Sequence, residues 1–197
     1  MAENPTIARS EFILGGQKSG KSCRAENLAA AWLAAAPTHR AVLIATAQAH
    51  DAEMRARIAR HQSDRRARVP RLQTVEEPRE LAQALRGCSD ARTLVVVDCL
   101  TLWLTNWLMP AGSGQDENMP STLDWKAQKA LFLEALEHAP GPVVLVGNEI
   151  GLGVIPMGTA VRAFVDALGV LNQGVAAACE RVSWMVAGLS VCVKGQP

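Results

Sequence analysis

The chain of 197 residues predicts an α/β fold, a mostly parallel sheet flanked by helices, on three observations. Apolar, β-branched runs bounded by turn residues stand at Leu94–Val97 and Val143–Val146, with a third apolar run at Ala41–Ala45 and a short first strand at Glu11–Leu14. Continuous runs of this kind read as strands buried on both faces, as in parallel sheets. Helical stretches separate them, the alternation that builds strand–helix–strand crossovers. A glycine-rich segment stands between the first strand and the first helix, where parallel α/β folds place a phosphate site.

Taken in order, the short strand Glu11–Leu14 leads through that segment into a helix over Ser22–Ala35. A strand over Ala41–Ala45 follows, and then a helix over Asp51–His61 with Asp51 able to cap it. Next come a helix over Pro78–Leu85 and the strand Leu94–Val97. Met109–Thr122, rich in Pro, Gly, Ser and Asn, predicts a mobile loop. A helix over Leu123–His138 and the strand Val143–Val146 precede a glycine-spaced turn after Asn148. A long helix over Thr159–Glu180 and two short strands, Ser183–Val186 and Ser190–Val193, close the chain. The expected organisation is a flexible extension over residues 1–10 and one domain over 11–197.

With 20 Lys+Arg against 19 Asp+Glu, the net charge of +1 supplies no field for holding nucleic acid or an anionic membrane. Phosphate binding must come from a local site. At 49% hydrophobic and 20% charged residues, the chain can bury a core and is not of disordered composition. Cys23, Cys88, Cys99, Cys179 and Cys192 form no CxxC pair, which argues against a disulfide framework or zinc site and suits a reducing cytosol. Met1–Ser10 lacks the apolar region of a secretion signal. The most apolar stretch, Leu94–Met109, is broken by Asp98, Thr101, Thr105 and Asn106, short of the ~20 apolar residues of a membrane span. A cytoplasmic protein is expected, with no nucleic-acid partner and no membrane insertion.

Residues 15–22 read GGQKSGKS and satisfy G-x4-G-K-[ST] between a strand and a helix. Gly15 and Gly20 let the backbone curl so that successive N–H groups face a phosphate chain, and the helix adds its positive end. Lys21 would reach the terminal phosphates, and the Ser22 hydroxyl would ligate Mg²⁺. Asp98 ends an apolar strand, the usual place for a second acidic group that orients the same ion.

Met54, Ile58 and His61 fall on one face of their helix, among Arg55, Arg57, Arg60, Arg65, Arg66, Arg68 and Arg71. Composition alone leaves two readings open. One is a solvated basic helix with a partly buried histidine. The other is arginines cradling a triphosphate while neutral imidazole attacks phosphorus. His39, His50 and His138 read as surface or loop residues. Glu149, in the turn NEIGLG over 148–153, is a candidate Mg²⁺ ligand or base, or simply a capping carboxylate. Trp103 and Trp107, one helical turn apart, read as core, with a platform for a large flat ligand as the alternative.

An ordered set of segments resembles the bifunctional adenosylcobinamide kinase/adenosylcobinamide-phosphate guanylyltransferase family of cobalamin biosynthesis. It comprises the phosphate loop, Ile44–Ala47, Asp51–Met54 with Arg57, Ile58 and His61, Thr74–Glu76, and Asp98–Thr101 with Trp103 and Asn106. Asn148–Gly153 with Pro156, Asn172–Gln173 and Gly188 complete it. The resemblance implies phosphorylation of adenosylcobinamide from ATP or GTP, then transfer of GMP from GTP through a histidine to the new phosphate. It implies a RecA-like P-loop fold, assembled as a homotrimer. By the matching, His61 would be the guanylylated residue. Nucleotide contacts would fall on Gly15, Gly16, Gln17, Lys18, Ser19, Gly20, Lys21 and Ser22, and on Ala45, Thr46 and Ala47. They would continue on Gln62, Ser63, Asp64, Arg65, Glu76 and Asp98, with Mg²⁺ at Ser22 and Asp98 and Glu149 toward substrate or Mg²⁺.

The chain departs from the family pattern at Leu72, where a Trp is usual, and at Met157, where an acid is. It also departs at Val165 and Val170, where arginines are usual, and at Gln17–Lys18 inside the loop. By the resemblance, the two arginines lost at Val165 and Val170 would weaken a trimer contact or a corrinoid-side contact and leave the nucleotide elements intact. Two other functions remain expressible in the residues: a plain P-loop small-molecule kinase, and a nucleotide-binding regulator without transfer activity.

Overall fold

Alternate residues of the central strands enter two different cores, and this alone places the sheet between two layers. In the computed structural model, which describes residues 6–109 and 122–196, Phe12, Val95, Val97, Val143 and Leu145 face one core. Ile13, Leu94, Val96, Val144 and Val146 face the other. Side chains of a strand point to opposite faces in turn, so a continuous apolar run fills both.

The elements in order are β1 (Ser10–Gly15), α1 (Lys21–Ala35), β2 (Arg40–Ala45), α2 (Ala52–Arg68), β3 (Leu72–Glu76), α3 (Leu81–Cys88) and β4 (Thr93–Asp98). They continue with α4 (Leu100–Leu108), α5 (Thr122–Glu137), β5 (Val143–Asn148), α6 (Thr159–Ala178), β6 (Arg181–Val186) and β7 (Leu189–Lys194). The seven strands form one sheet in the order β3-β2-β4-β5-β1-β6-β7, parallel except for the β6–β7 pair. The expected α/β class is therefore observed.

Helices α3, α4, α5 and α6 cover the first face. Trp103 is fully buried there, packed edge-on to Trp125 with ring centroids 4.8 Å apart and against Phe132 at 5.0 Å. Its Nε1 donates to the Arg79 carbonyl at 2.8 Å, so the indole buries no unpaired N–H. Trp107 is also buried and carries the Arg79 guanidinium 4.4 Å above its ring. Both tryptophans are core residues, and neither offers a face to a flat ligand. On the opposite face α1 packs Ala25, Leu28, Ala29 and Leu33 against the sheet. Glu11 of β1 is 1% exposed yet charged; it accepts from Arg24 Nε at 2.8 Å and Ser183 Oγ at 2.7 Å, and pairs with Arg181 at 3.3 Å.

Several boundaries move. The helix expected to end at His61 continues to Arg68, because Arg and Gln are good helix formers even where apolar periodicity stops. Its last turn carries Arg65, Arg66 and Arg68, which complement the negative end of the helix dipole. Strand β3 was not expected: only Leu72 of its five residues is buried, so it lacks an apolar run and owes its form to pairing with β2. Helix α3 starts at Leu81 rather than Pro78, because the Glu77 carboxylate accepts from Arg79 N and Glu80 N and holds Pro78 in a turn. Helix α4 follows Asp98 almost at once, and α6 ends at Ala178, where Cys179 turns extended. The loop expected over Met109–Thr122 lies outside the described residues for 110–121, and Thr122 already opens α5. Of the extension expected over 1–10, residues 1–5 lie outside the described residues, while Ser10 is the first residue of β1. The cysteines are all free; burial pushes the Cys99 and Cys179 thiols each up to about 12, whereas Cys23 is exposed. Among the described residues, no helix is long and apolar enough to cross a membrane.

Two stability predictions follow from this packing. Trp103→Ala should cost about 3–5 kcal/mol in urea unfolding, the range for emptying a large aromatic site; a loss below about 1 kcal/mol would contradict the packing described. Glu11→Ala should cost a similar ~3–5 kcal/mol by stranding Arg24 and Arg181, and Glu11→Ala/Arg181→Met should recover part of that.

Candidate functional site

Parallel register brings the ends of five strands into one line. Ala45 of β2 pairs with Glu76 of β3 on one side and with Asp98 of β4 on the other. Asp98 pairs in turn with Val146 of β5, and Gly15 of β1 with Asn148. Ligands of open α/β sheets bind at this carboxyl edge, beyond the strand ends.

The phosphate loop leaves β1 at Gly15, whose φ of +156° suits only glycine, and a Cβ there would lie 2.6 Å from the Met185 carbonyl oxygen. Gly20, at φ +104°, is the N-cap of α1. Lys21 folds back over the loop, its Nζ donating to the Gly15 carbonyl at 3.0 Å and the Gly16 carbonyl at 2.7 Å. Burial pulls its ammonium below the usual lysine range, with Cys99 and Asp98 opposing. Ser22 Oγ donates to Asp98 Oδ2 at 3.1 Å. A hydroxyl and a carboxylate side by side are hard oxygen donors that suit Mg²⁺, and Ser19 Oγ is buried in the loop without a hydrogen-bond partner. The residues present thus fit a magnesium-bound phosphate chain.

Asp51 caps α2 as expected, its Oδ1 accepting from Met54 N at 2.6 Å. The helix face carrying Met54, Ile58, His61 and Arg65 looks across at the loop. Between them lies a cavity of about 780 Å³, within the usual range for small-molecule sites. Gln17, Lys18, Lys21, Ser22, Ala45, Ala47, His61, Gln62, Arg65, Glu76 and Asp98 all line it. His61 is exposed to this space rather than packed away. Gln62 Nε2 reaches Glu76 Oε1 at 3.3 Å, joining α2 to β3 across one wall.

Other expected contacts fall elsewhere. Thr46 is fully buried, its hydroxyl donating to the Cys99 carbonyl at 2.7 Å and accepting from Cys99 N at 2.9 Å, so its side chain braces the β4 end instead of facing a nucleotide. Ser63 and Asp64 are exposed on α2 outside the cavity lining. Ser63 follows His61 by two residues, about 200° round the helix, which turns it off that face; Asp64, three residues on, stands nearer the face but does not line the cavity either. The Glu149 carboxylate accepts from Gly151 N at 2.6 Å and lies outside the lining too, so its observed role is to close the turn. Gly15, Gly16, Ser19 and Gly20 belong to the loop but are not among the residues that line the cavity.

Sequence reading missed His50, Leu102 and Asn148 as lining residues, whereas Arg57, named among the arginines around His61, lines the cavity as well. His50 stands just past β2, and proximity to a strand's carboxyl end was the signal available. His39 instead stacks on Trp32 at 3.8 Å between ring centroids, away from the site. At the departures from the family pattern, Leu72 is buried in the core, while Met157 and Val170 are exposed.

Comparison with known proteins agrees with this geometry. The model of the family described as cobinamide kinase / cobinamide phosphate guanyltransferase matches residues 11–193. The chain is 46% identical over 187 residues to the bifunctional adenosylcobalamin biosynthesis protein CobP of Pseudomonas aeruginosa, covering 95% of this chain and 98% of that one. It is 33% identical over 129 residues to CobU of Escherichia coli, covering 62% of this chain and 70% of that one. Among solved structures, it resembles the flagellar accessory protein FlaH of Methanocaldococcus jannaschii, with a TM-score of 0.52 at 12% identity over 98% of this chain and 82% of that one. A Pyrococcus horikoshii protein aligns with a TM-score of 0.57 at 7% identity over 99% and 90%. These structural likenesses speak to the fold, which is RecA-like with a phosphate loop. The chain belongs to the cobinamide kinase / cobinamide phosphate guanyltransferase family.

Proposed function

We propose that this chain, acting as one domain over residues 11–197, phosphorylates adenosylcobinamide and then transfers GMP from GTP to the product through His61, giving adenosylcobinamide-GDP. The observation that carries the reading is a single cavity lined at once by the phosphate-loop residues Lys21 and Ser22, by Asp98, and by an exposed histidine among arginines.

In the first step a hydroxyl of adenosylcobinamide attacks the γ-phosphorus of ATP or GTP, the bond from that phosphorus to the β-phosphate oxygen breaks, the nucleoside diphosphate leaves, and the hydroxyl proton passes to solvent. Loop N–H groups and Lys21 hold the phosphate chain and offset the charge that develops. Lys21 exchanges the Gly15 and Gly16 carbonyls it now contacts for phosphate oxygens. Mg²⁺, held at Ser22 and Asp98, would supply charge neutralisation between the phosphates. In the second step an imidazole nitrogen of His61 attacks the α-phosphorus of GTP. The bond to the β-phosphate oxygen breaks, pyrophosphate leaves, and the ring loses its proton. A phosphate oxygen of adenosylcobinamide phosphate then displaces the histidine, forming a diphosphate. Arg57 and Arg65, on the same wall as His61, are suited to hold the phosphates during both displacements.

The reading extends to a cytoplasmic homotrimer. Leu152, Val154, Ile155 and Met157 are exposed in sequence proximity, from 77% to 96%, and suit burial against another copy.

Incubation with GTP labelled on the α-phosphate should leave the parent protein labelled after denaturation, with the acid lability and base stability of a phosphoramidate. His61→Ala should abolish the label while retaining phosphorylation of adenosylcobinamide. Phosphorylation by a parent that never takes label would favour the plain kinase, and binding without either reaction the regulator. Lys21→Met should slow both steps by about 10²–10³-fold, since both draw on the same phosphate cradle; loss of one step alone would contradict a shared site.

A further inference from the structure

Helix α2 presents a packing problem. Of its 17 residues, only Arg65 is buried, so the helix that carries His61 has almost no apolar anchorage on the rest of the fold. What meets Arg65 is Glu26 of α1, 2% exposed, whose carboxylate pairs with Arg65 Nε at 3.6 Å and with Arg68 at 3.0 Å. Glu26 does not line the cavity and touches no other cation among the described residues. Burying it is costly: desolvation raises its carboxyl above the usual range against the pull of Arg68, Arg65 and His61 on α2, with Asp98 on β4 adding to the rise. Glu26 thus joins α1 to α2 away from the cavity lining.

On α1, Ser22 and Glu26 stand at i and i+4, so the carboxylate rises from the same face as the phosphate-loop hydroxyl. On α2, His61, Arg65 and Arg68 stand at i, i+4 and i+7, one stripe along the helix. His61 is therefore about 6 Å along the axis from the residue gripped by Glu26. Rotating α2 about its axis moves the arginines and the imidazole together, and the ion pair fixes that rotation relative to the phosphate loop.

We propose that Glu26 is a positioning residue for guanylyl transfer, its buried carboxylate gripping Arg65 and Arg68 so that His61 is held turned toward the phosphate loop. This rests on the reading of His61 as the guanylylated residue. It assigns the pair no part in phosphorylation of the cobinamide hydroxyl, which needs the loop, Lys21 and Asp98 but not the imidazole.

The test is single-turnover labelling of the full chain with α-labelled GTP and Mg²⁺, beside phosphorylation of adenosylcobinamide from γ-labelled ATP. Glu26→Gln should slow labelling of His61 about 10–100-fold, the scale on which misplacing a reacting group acts. Its phosphorylation kcat and its half-saturation for GTP should stay within about twofold of the parent. Glu26→Asp, which keeps the charge, should restore labelling to a rate between the two. Arg68→Gln, at a side chain 41% exposed, should shift labelling in the same direction and carries the test if Glu26→Gln does not fold. Labelling at the parent rate in Glu26→Gln and Arg68→Gln would overturn the assignment, as would labelling and phosphorylation falling together. An unlabelled parent would instead sink the histidine reading itself, an outcome visible before any variant is made.

Discussion

Parallel hydrogen bonding across β2, β4, β5 and β1 is the constraint on which the rest of the site depends. Because these strands run the same way and pair in register, Glu76, Ala45, Asp98, Val146, Asn148 and Gly15 end at one edge of the sheet. The phosphate loop, the β4 carboxylate and the segment leading into α2 then converge at that edge, where Ser22 Oγ donates to Asp98 Oδ2. Thr46 reinforces the arrangement from below by bonding both backbone groups of Cys99, and Asn106 of α4 donates to the Thr46 carbonyl at 2.8 Å. The floor of the cavity is thus rigid core, continuous with fully buried strand residues.

Its walls are of a different kind. The α1 wall grows out of packed apolar contacts, while α2 is polar along most of its length and is seated by charge. Two buried carboxylates illustrate the difference. Glu11 sits inside the fold with Arg24, Arg181 and Ser183 closing around it, and it ties β1 to α1 and β6. Glu26 sits at the joint between a rigid helix and a loosely seated one. The first secures a layer of the fold, and the second governs an orientation. Charges placed this way give direction to a contact that apolar packing would leave free to slide.

How much of this was legible depended on whether a residue's role was local. The loop GGQKSGKS announced itself because its geometry is set by its own glycines and the strand and helix beside it. Asp51 as a cap was legible for the same reason, being within one turn of the amide it accepts from. Strand β3 was not, since four of its five residues are exposed and its conformation comes from a neighbour 31 residues earlier, Leu43 pairing with Thr74. Thr46 was assigned to ligand by motif matching, and its side chain is instead engaged with Cys99, a partner that the spacing of a motif does not reveal. Glu149 was read either as a ligand or as a capping carboxylate, and it closes its own turn on Gly151 N.

The sequence by itself determined the α/β class, the phosphate loop, the acidic end of β4 and the presence of a histidine in an arginine-rich helix. Each of these is written in adjacent residues, where backbone freedom, strand period and helix period act over a few positions. Only the tertiary structure decided that the histidine faces the loop, that His50 and Asn148 line the same cavity, and that the tryptophans turn inward. Those outcomes depend on strand order and on how far α2 rotates over α1. Both are settled by contacts between segments distant in the chain, for which local periodicity carries no information.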